Sequence, residues 1–372
     1  MSQDAFRKDC ASLLAQQLKS GSISRRDFAT GMALLFGAST LGLNAASSAQ
    51  AQSGRLVYCN WGGDAIDAMS EAFGKPFSEE TGIDVLFDGA GPTEGAVKAQ
   101  AESGNPAWDL ADIEPFSAER LGKTGLIEPI DYDIVDRAKM REGFGWEYAA
   151  STYFYSYVIA YDATRYETAP SSMADFFDVE RFPGKRTMYK WGSGMWEAAL
   201  MADGVAPADL YPLDLERANA KIADFKDNVS VFWGGGAESQ SALLNGDAAM
   251  GLLWNTRAML LERDTGGDIR FTWEQGILNP ASSAVLKNGP GGKDNAMRYI
   301  RASQGAKGQA TLFRLMGNGP SNPEADALLT ADEMRLNPSA PKNAAQQVAA
   351  NMRWYEDNYG PALDAYLSIV SA

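Results

Sequence analysis

The chain has 372 residues, 45% hydrophobic and 22% charged, enough for two or three packed units around real cores. Its net charge of -15 argues against a nucleic-acid footprint. The absence of histidine excludes Ser-His and Cys-His nucleophile pairs and every His-containing zinc site, and two cysteines, Cys10 and Cys59, exclude a disulfide framework.

The first 51 residues read as an address. Arg25 and Arg26 stand in Ser24-Arg25-Arg26-Asp27-Phe28, ahead of an apolar run over 29–43 and the small residues Ala49-Gln50-Ala51. That run is 15 residues long and rich in Gly, Ala and Thr, whereas a membrane helix needs about 20. The pattern resembles a twin-arginine (Tat) export signal cut near Ala51. A mature chain from about Gln52 is therefore expected in the periplasm, where its one cysteine, Cys59, suits oxidising conditions. The first 51 residues carry +2, so the remainder carries -17 of the total -15.

From Arg55 strand and helix signals alternate. A strand over 56–60 leads into a helix from Asp64, with Ile66, Met69, Phe73 and Phe77 at helical spacing and a stop at Thr81-Gly82. A strand over 83–87, a helix after Pro92, a strand over 109–113 and a helix from Pro115 to Gly125 follow. This alternation demands a parallel sheet with right-handed crossovers. In the order 2-1-3, strands one and three would end beside one crevice. An aromatic, β-branched stretch over 153–161 reads as extended. A second alternating run then has strands over 186–190, 229–233, 248–254 and 269–273, with helices over 194–202, 213–226 and 238–244. An extended return over 282–286, helical patterns over 292–316 and a helical tail over 344–369 complete the chain.

The strand ends carry the candidate chemistry. The first gives Trp61, Gly63 and Asp64, and the third gives Glu114 and Phe116, so an aromatic and an acid flank one crevice from both sides. In the second run "KWGSGMWE" supplies Lys190, Trp191 and Glu197, "VFWGGGAES" supplies Trp233, and "AMGLLWNTR" supplies Trp254, Asn255 and Arg257. A single tryptophan is usually packing. Four strand ends on tryptophan (Trp61, Trp233, Trp254, Trp273) suggest aromatic faces for an organic cation, each worth about 0.5–2 kcal/mol, with acids taking ammonium hydrogens. The glycines would let the backbone approach a ligand. They match neither a P-loop nor a dinucleotide fingerprint, no cluster has metal-ligand spacing, and no cofactor is expected.

The order of export signal, α/β lobe, extended crossover, second α/β lobe, return crossover and helical tail resembles periplasmic solute-binding proteins of ABC importers. The stretches "LVYCNWGGD", "FSEETGIDVLFD", "DLADIEPFSAERLGKTGLIEPID", "SMADFFDVERFPGKR" and "LLNGDAAMGLLWN" look like the spermidine/putrescine-binding type. The resemblance implies an α/β, two-lobe periplasmic binding protein fold of type II, each lobe a doubly wound sheet flanked by helices. Lobe 1 would take 55–160 and 284–322, and lobe 2 would take 161–283 and 323–372. It also implies a non-enzymatic monomer that meets an ABC permease and captures a small amine between the lobes.

Carried over residue by residue, the resemblance puts Trp61 and Trp254 on the family's aromatic positions and Asp64 near its first acid. Glu114 and Phe116 fall where a hydroxyl residue and a tyrosine are usual. The second-lobe acids fall on Trp191 and Gly194, leaving Glu197 one helical turn later as a substitute. The crossover tryptophan and acid fall near Asn279 and Ala281, and Tyr355 stands at a pocket position supplied by the tail. The missing acids matter, because an ammonium buried without a counter-charge costs several kcal/mol. The leading expectation is thus a putrescine- or spermidine-like amine. The alternative is a zwitterion such as γ-aminobutyrate, its carboxylate paired with Lys190 or Arg257. A receptor that feeds a sensor instead of a permease fits equally. Another class, an exported glycosidase using two carboxylates such as Glu197 and Glu238, needs no histidine.

Overall fold

The computed structural model describes residues 54–371; Arg25, Arg26 and the expected cleavage point near Ala51 lie outside them. Eleven strands occur in the described residues: β1 (Arg55–Cys59), β2 (Asp84–Asp88), β3 (Leu110–Ile113), β4 (Ile127–Glu128), β5 (Ala150–Asp162), β6 (Arg186–Tyr189), β7 (Val229–Trp233), β8 (Met250–Trp254), β9 (Ile269–Leu286), β10 (Gly319–Pro320) and β11 (Val348–Ala349). The main path through the sheet is β2-β1-β3-β9-β5-β8-β6-β7. The expected order 2-1-3 is present, with β1 parallel to both neighbours, so β1 and β3 end side by side. β6 likewise lies parallel to β7 and β8.

Between β1 and β2 the chain is helical over 64–81, widening to π geometry across Ser70–Gly74. The expected apolar spacing buries Met69, Phe73 and Phe77. Gly82 ends it in the left-handed region, φ 72°, which costs glycine nothing. β5 and β9 are long, antiparallel and almost wholly buried over their paired centre. Ser282–Val285 of β9 pairs with β3, and Tyr157–Tyr161 of β5 pairs with β8. These two strands therefore carry the sheet from the β2-β1-β3 side to the β8-β6-β7 side. Their ladder shifts register at Ser151/Tyr153 and Tyr157/Ile159, irregularities that bend paired strands.

Several elements differ from the sequence expectations. Trp273 does not end a strand: β9 runs on through it, and its ring packs edge-on against Phe271 at 5.1 Å. The extended piece at 282–286 is the far end of the same β9. The tail helix starts only at Met352, capped by Asn351, because β11 first pairs with Ile277 and Leu278 of β9. The helical pattern over 292–316 is two helices, Lys293–Ser303 and Ala306–Met316, with Gly305 extended between them. Several short helices went unread, Ala331–Leu336 among them. Met173–Phe177 has five residues, too few for a periodic signal, and Asn255–Asp264 springs from β8 with no intervening loop.

Candidate functional site

β1 stops at Cys59, and the turn that follows brings Trp61 into the wall of a cavity. Asn60 is buried, and its side-chain oxygen accepts the Gly62 N–H at 2.9 Å. Gly62 and Gly63 then take φ of 72° and 60° in succession, a turn open to glycine but strained for other residues. The turn sends the Trp61 ring inward and leaves the Gly62 carbonyl facing the opposite wall. The glycines thus serve the turn itself.

The cavity leaves about 40 Å³ of free space for the centres of water-sized groups. Trp61, Ala65 and Met69 line it from one side, and Trp254, Thr256 and Arg257 from the other. The end of β3 adds Asp112 and Glu114, whose spacing of two puts both on one face of the strand. β5 adds Tyr153 and Tyr155 by the same rule, and the helix Ala306–Met316 supplies Leu312 and Met316. Trp254 is the centre of an aromatic group, with ring centroids 5.6 Å from Trp61, 4.8 Å from Trp233, 5.5 Å from Tyr189 and 6.2 Å from Tyr155.

Two acids, Asp112 and Glu114, belong to the lining. Burial pushes Asp112 up to about 7, against the Tyr153 hydroxyl that donates to its Oδ2 at 2.7 Å. Burial also pushes Glu114 up to about 7, with the nearby Glu94 charge adding to it.

The cation is Arg257. Among the described residues two arginines are buried, and they are used differently. Arg186 spends Nε, Nη1 and Nη2 on the carbonyls of Phe176, Gly184 and Phe182 at 2.6–2.7 Å, which makes it a structural clamp. Arg257 is 1% exposed, yet its Nη2 reaches only the Gly62 carbonyl at 3.1 Å, and its Nη1 lies 3.5 Å from Asp64. Its Nε has no hydrogen-bond partner. A buried guanidinium with spare donors is costly unless an anion joins it. Gly236 lets it sit there: a Cβ at that residue would run into the Arg257 guanidinium.

The structure therefore brings together Trp61, Glu114, Trp254 and Arg257 from the sequence candidates. Asp64 is at the rim with its side chain 58% exposed, and Gly63 flanks the guanidinium. The other candidates lie outside the cavity lining. Glu197 is buried beneath tyrosines, accepting from Tyr211 at 2.6 Å and from Tyr355 at 2.8 Å. Tyr355 also accepts the Gly194 N–H, and Phe116 stacks on its ring at 5.0 Å. Trp233 is fully buried and donates to the Leu252 carbonyl behind Trp254. Asn255 ties the Ser156 N–H to the Gly317 carbonyl, and Asn279 bonds its own strand at Ile277. Lys190 is exposed, its ammonium 5.5 Å over the Trp191 ring, and Trp191 is held through its carbonyl by Tyr359. Sequence reasoning missed Asp112, Tyr153 and Tyr155, although their spacing of two relative to Glu114 and to each other was a usable signal.

Residues 72–342 match the model of the bacterial extracellular solute-binding protein family. The chain belongs to that family. It is 32% identical over 326 residues to the γ-aminobutyric acid-binding protein of Pseudomonas aeruginosa, spanning 86% of this chain and 92% of that one. A solved structure described as a GABA receptor superposes with a TM-score of 0.75 at 35% identity, covering 85% of this chain and 97% of that one. The spermidine/putrescine-binding periplasmic protein of Escherichia coli K12 is 23% identical over 343 residues, 88% of this chain and 96% of that protein. Family membership and the two-lobe solute-binding fold thus stand, and the more similar of these proteins carry the name of an amino acid, not of a polyamine.

Proposed function

We propose that this chain is the periplasmic receptor of an ABC importer and that its ligand is a small zwitterion of the γ-aminobutyrate class. The observation that carries the reading is Arg257, a buried guanidinium with unused donors in the same cavity as Asp112 and Glu114. A carboxylate meets Arg257 by charge-assisted hydrogen bonds, and an ammonium meets the acids between aromatic faces. A diamine would instead bring a second positive charge toward the buried Arg257. The leading expectation of a polyamine gives way to the alternative on that ground, with Arg257 in place of the exposed Lys190 as carboxylate partner.

In this reading β5 and β9 act as the hinge, and the ligand favours the closed state by touching both sides at once. Export by the twin-arginine route belongs to the same proposal. Thermal unfolding of the mature protein against γ-aminobutyrate, putrescine, spermidine, betaines and sugars tests it. Ligand at 100 times its dissociation constant adds about 2.7 kcal/mol of stability. A shift with γ-aminobutyrate supports the reading, and a shift with putrescine alone overturns it.

The acids make binding depend on pH. Raised carboxyl pKa values mean that the folded protein holds protons which the unfolded chain releases near pH 4. The stability they contribute is present at low pH and is lost as pH rises through about 7. An ammonium ligand favours their charged forms, so binding should release protons. Affinity for γ-aminobutyrate is expected to rise about tenfold from pH 6 to pH 8 if one such carboxyl titrates. Calorimetry in buffers of different ionisation enthalpy checks the proton release.

Gly236→Ala is a second check. The helix Gly236–Leu244 accepts alanine, but the new methyl displaces the Arg257 guanidinium. We expect about a tenfold or greater loss of γ-aminobutyrate affinity, the scale of one misplaced charged contact, with little change in the unliganded melting temperature.

A further inference from the structure

Behind the binding cavity lies a second, much smaller void of about 10 Å³, the room that one water-sized group needs. Its lining is rich in hydroxyls, from Tyr58, Thr152, Ser283, Tyr299 and Ser303. Met69 is the side chain common to the linings of both spaces. It is 4% exposed and lies at the end of the regular helical turns, immediately before the π-widened stretch. Its sulfur lies 3.5 Å from the Asn60 side-chain nitrogen.

The annex is not a fully satisfied piece of core. The Thr152 hydroxyl, in a residue 3% exposed, has no hydrogen-bond partner. Buried polar atoms are nearly always paired, so an orphan lining a void marks a place where a polar group fits. Tyr58 and Ser283 share one hydrogen bond at 2.8 Å, which leaves further lone pairs to accept an ammonium hydrogen. Asp112, an acid of the main cavity, pairs across the β3–β9 ladder with Ser283 of the annex lining, so the annex adjoins that acid.

We propose that Met69 sets the upper length of the ligand and that the annex is a subsite for the ammonium end of longer ω-amino acids. The inference rests on the zwitterion reading above. With Met69 in place, the cavity accommodates a ligand reaching from Arg257 to Asp112 and Glu114. When the thioether chain is shortened, the two spaces join. The ammonium of a longer ligand then lies among hydroxyls and still beside Asp112. Methionine suits such a divider because it is unbranched and adapts its shape.

The test is calorimetric titration of the full mature chain with γ-aminobutyrate, 5-aminovalerate and 6-aminohexanoate. For the native protein affinity should fall with each added methylene. Met69→Ala should move the optimum to a longer ligand, with a gain of about tenfold for 6-aminohexanoate, the scale of two buried methylenes. Adding Thr152→Val should remove much of that gain, because the hydroxyl that meets the ammonium is gone. Met69→Val truncates less and gives the same reading if the alanine variant loses its thermal transition. An unchanged length profile in a variant that still binds γ-aminobutyrate overturns the subsite and leaves the function intact. A native protein that binds putrescine and none of the three amino acids overturns both.

Discussion

Arg257→Met is expected to weaken γ-aminobutyrate binding by 100-fold or more, about 3–5 kcal/mol, without unfolding the protein. The size follows from burial: the guanidinium is 1% exposed, so nothing from solvent can replace it opposite a ligand carboxylate. The fold should survive, because a methionine of similar length removes a desolvated charge whose only ion-pair partner, Asp64, stands largely in water. Unliganded stability should hold or rise. Putrescine affinity should rise in the same variant, since the acids remain and the repelling charge is gone. Titration calorimetry paired with a urea melt separates these effects. Loss of binding together with loss of the cooperative transition would mean that Arg257 is a structural clamp like Arg186.

Trp254→Ala is expected to damage both fold and binding. Its ring meets Trp61, Trp233, Tyr155 and Tyr189, and its side chain is nearly inaccessible. Truncating a buried tryptophan leaves a cavity and costs about 3–5 kcal/mol. The midpoint of urea unfolding should fall accordingly, and γ-aminobutyrate binding should become undetectable by calorimetry. Trp61→Ala is the useful contrast. Trp61 is half-buried on a turn that Asn60 and two glycines hold independently. Its loss should reduce affinity about tenfold, the range of one cation–π face with its packing, and leave the melt nearly unchanged. Equal destabilisation by the two variants would contradict the division between a supporting and a ligand-facing tryptophan.

Much of this was legible in the sequence. The alternation from Arg55 implied a parallel sheet, and the order supposed for it, β2-β1-β3, is the one present, with Trp61 and Glu114 lining one cavity. Trp254 and Arg257 followed from a strand ending on tryptophan. The candidates that lie outside the cavity share a cause, which is that side-chain placement depends on partners distant in the chain. Glu197 reads as a pocket acid until Tyr211 and Tyr355, 14 and 158 residues away, are seen to cover it. Lys190 and Arg257 are equivalent cations on paper; one sits at an exposed strand end and the other two residues into a buried helix start. Asp112 was hidden because an acid inside a buried strand was read only as part of the strand. Tyr153 and Tyr155 were read only as a crossover, although β5 turns both toward the cavity.

The glycines teach the same point at smaller scale. "GGG" at 234–236 reads as backbone free to approach a ligand. In the structure Gly236 is helical, and its missing side chain is the space that the Arg257 guanidinium occupies. No local rule reports that requirement, because the colliding group is 21 residues further along the chain.

The most direct measurement is a crystal structure of the mature chain with γ-aminobutyrate. The account predicts one molecule in the cavity, its carboxylate on Arg257 and its ammonium toward Glu114 and Asp112 between Trp61 and Trp254. A ligand bound elsewhere, or one whose carboxylate avoids Arg257 while the guanidinium stays on Gly62 and Asp64, would contradict it.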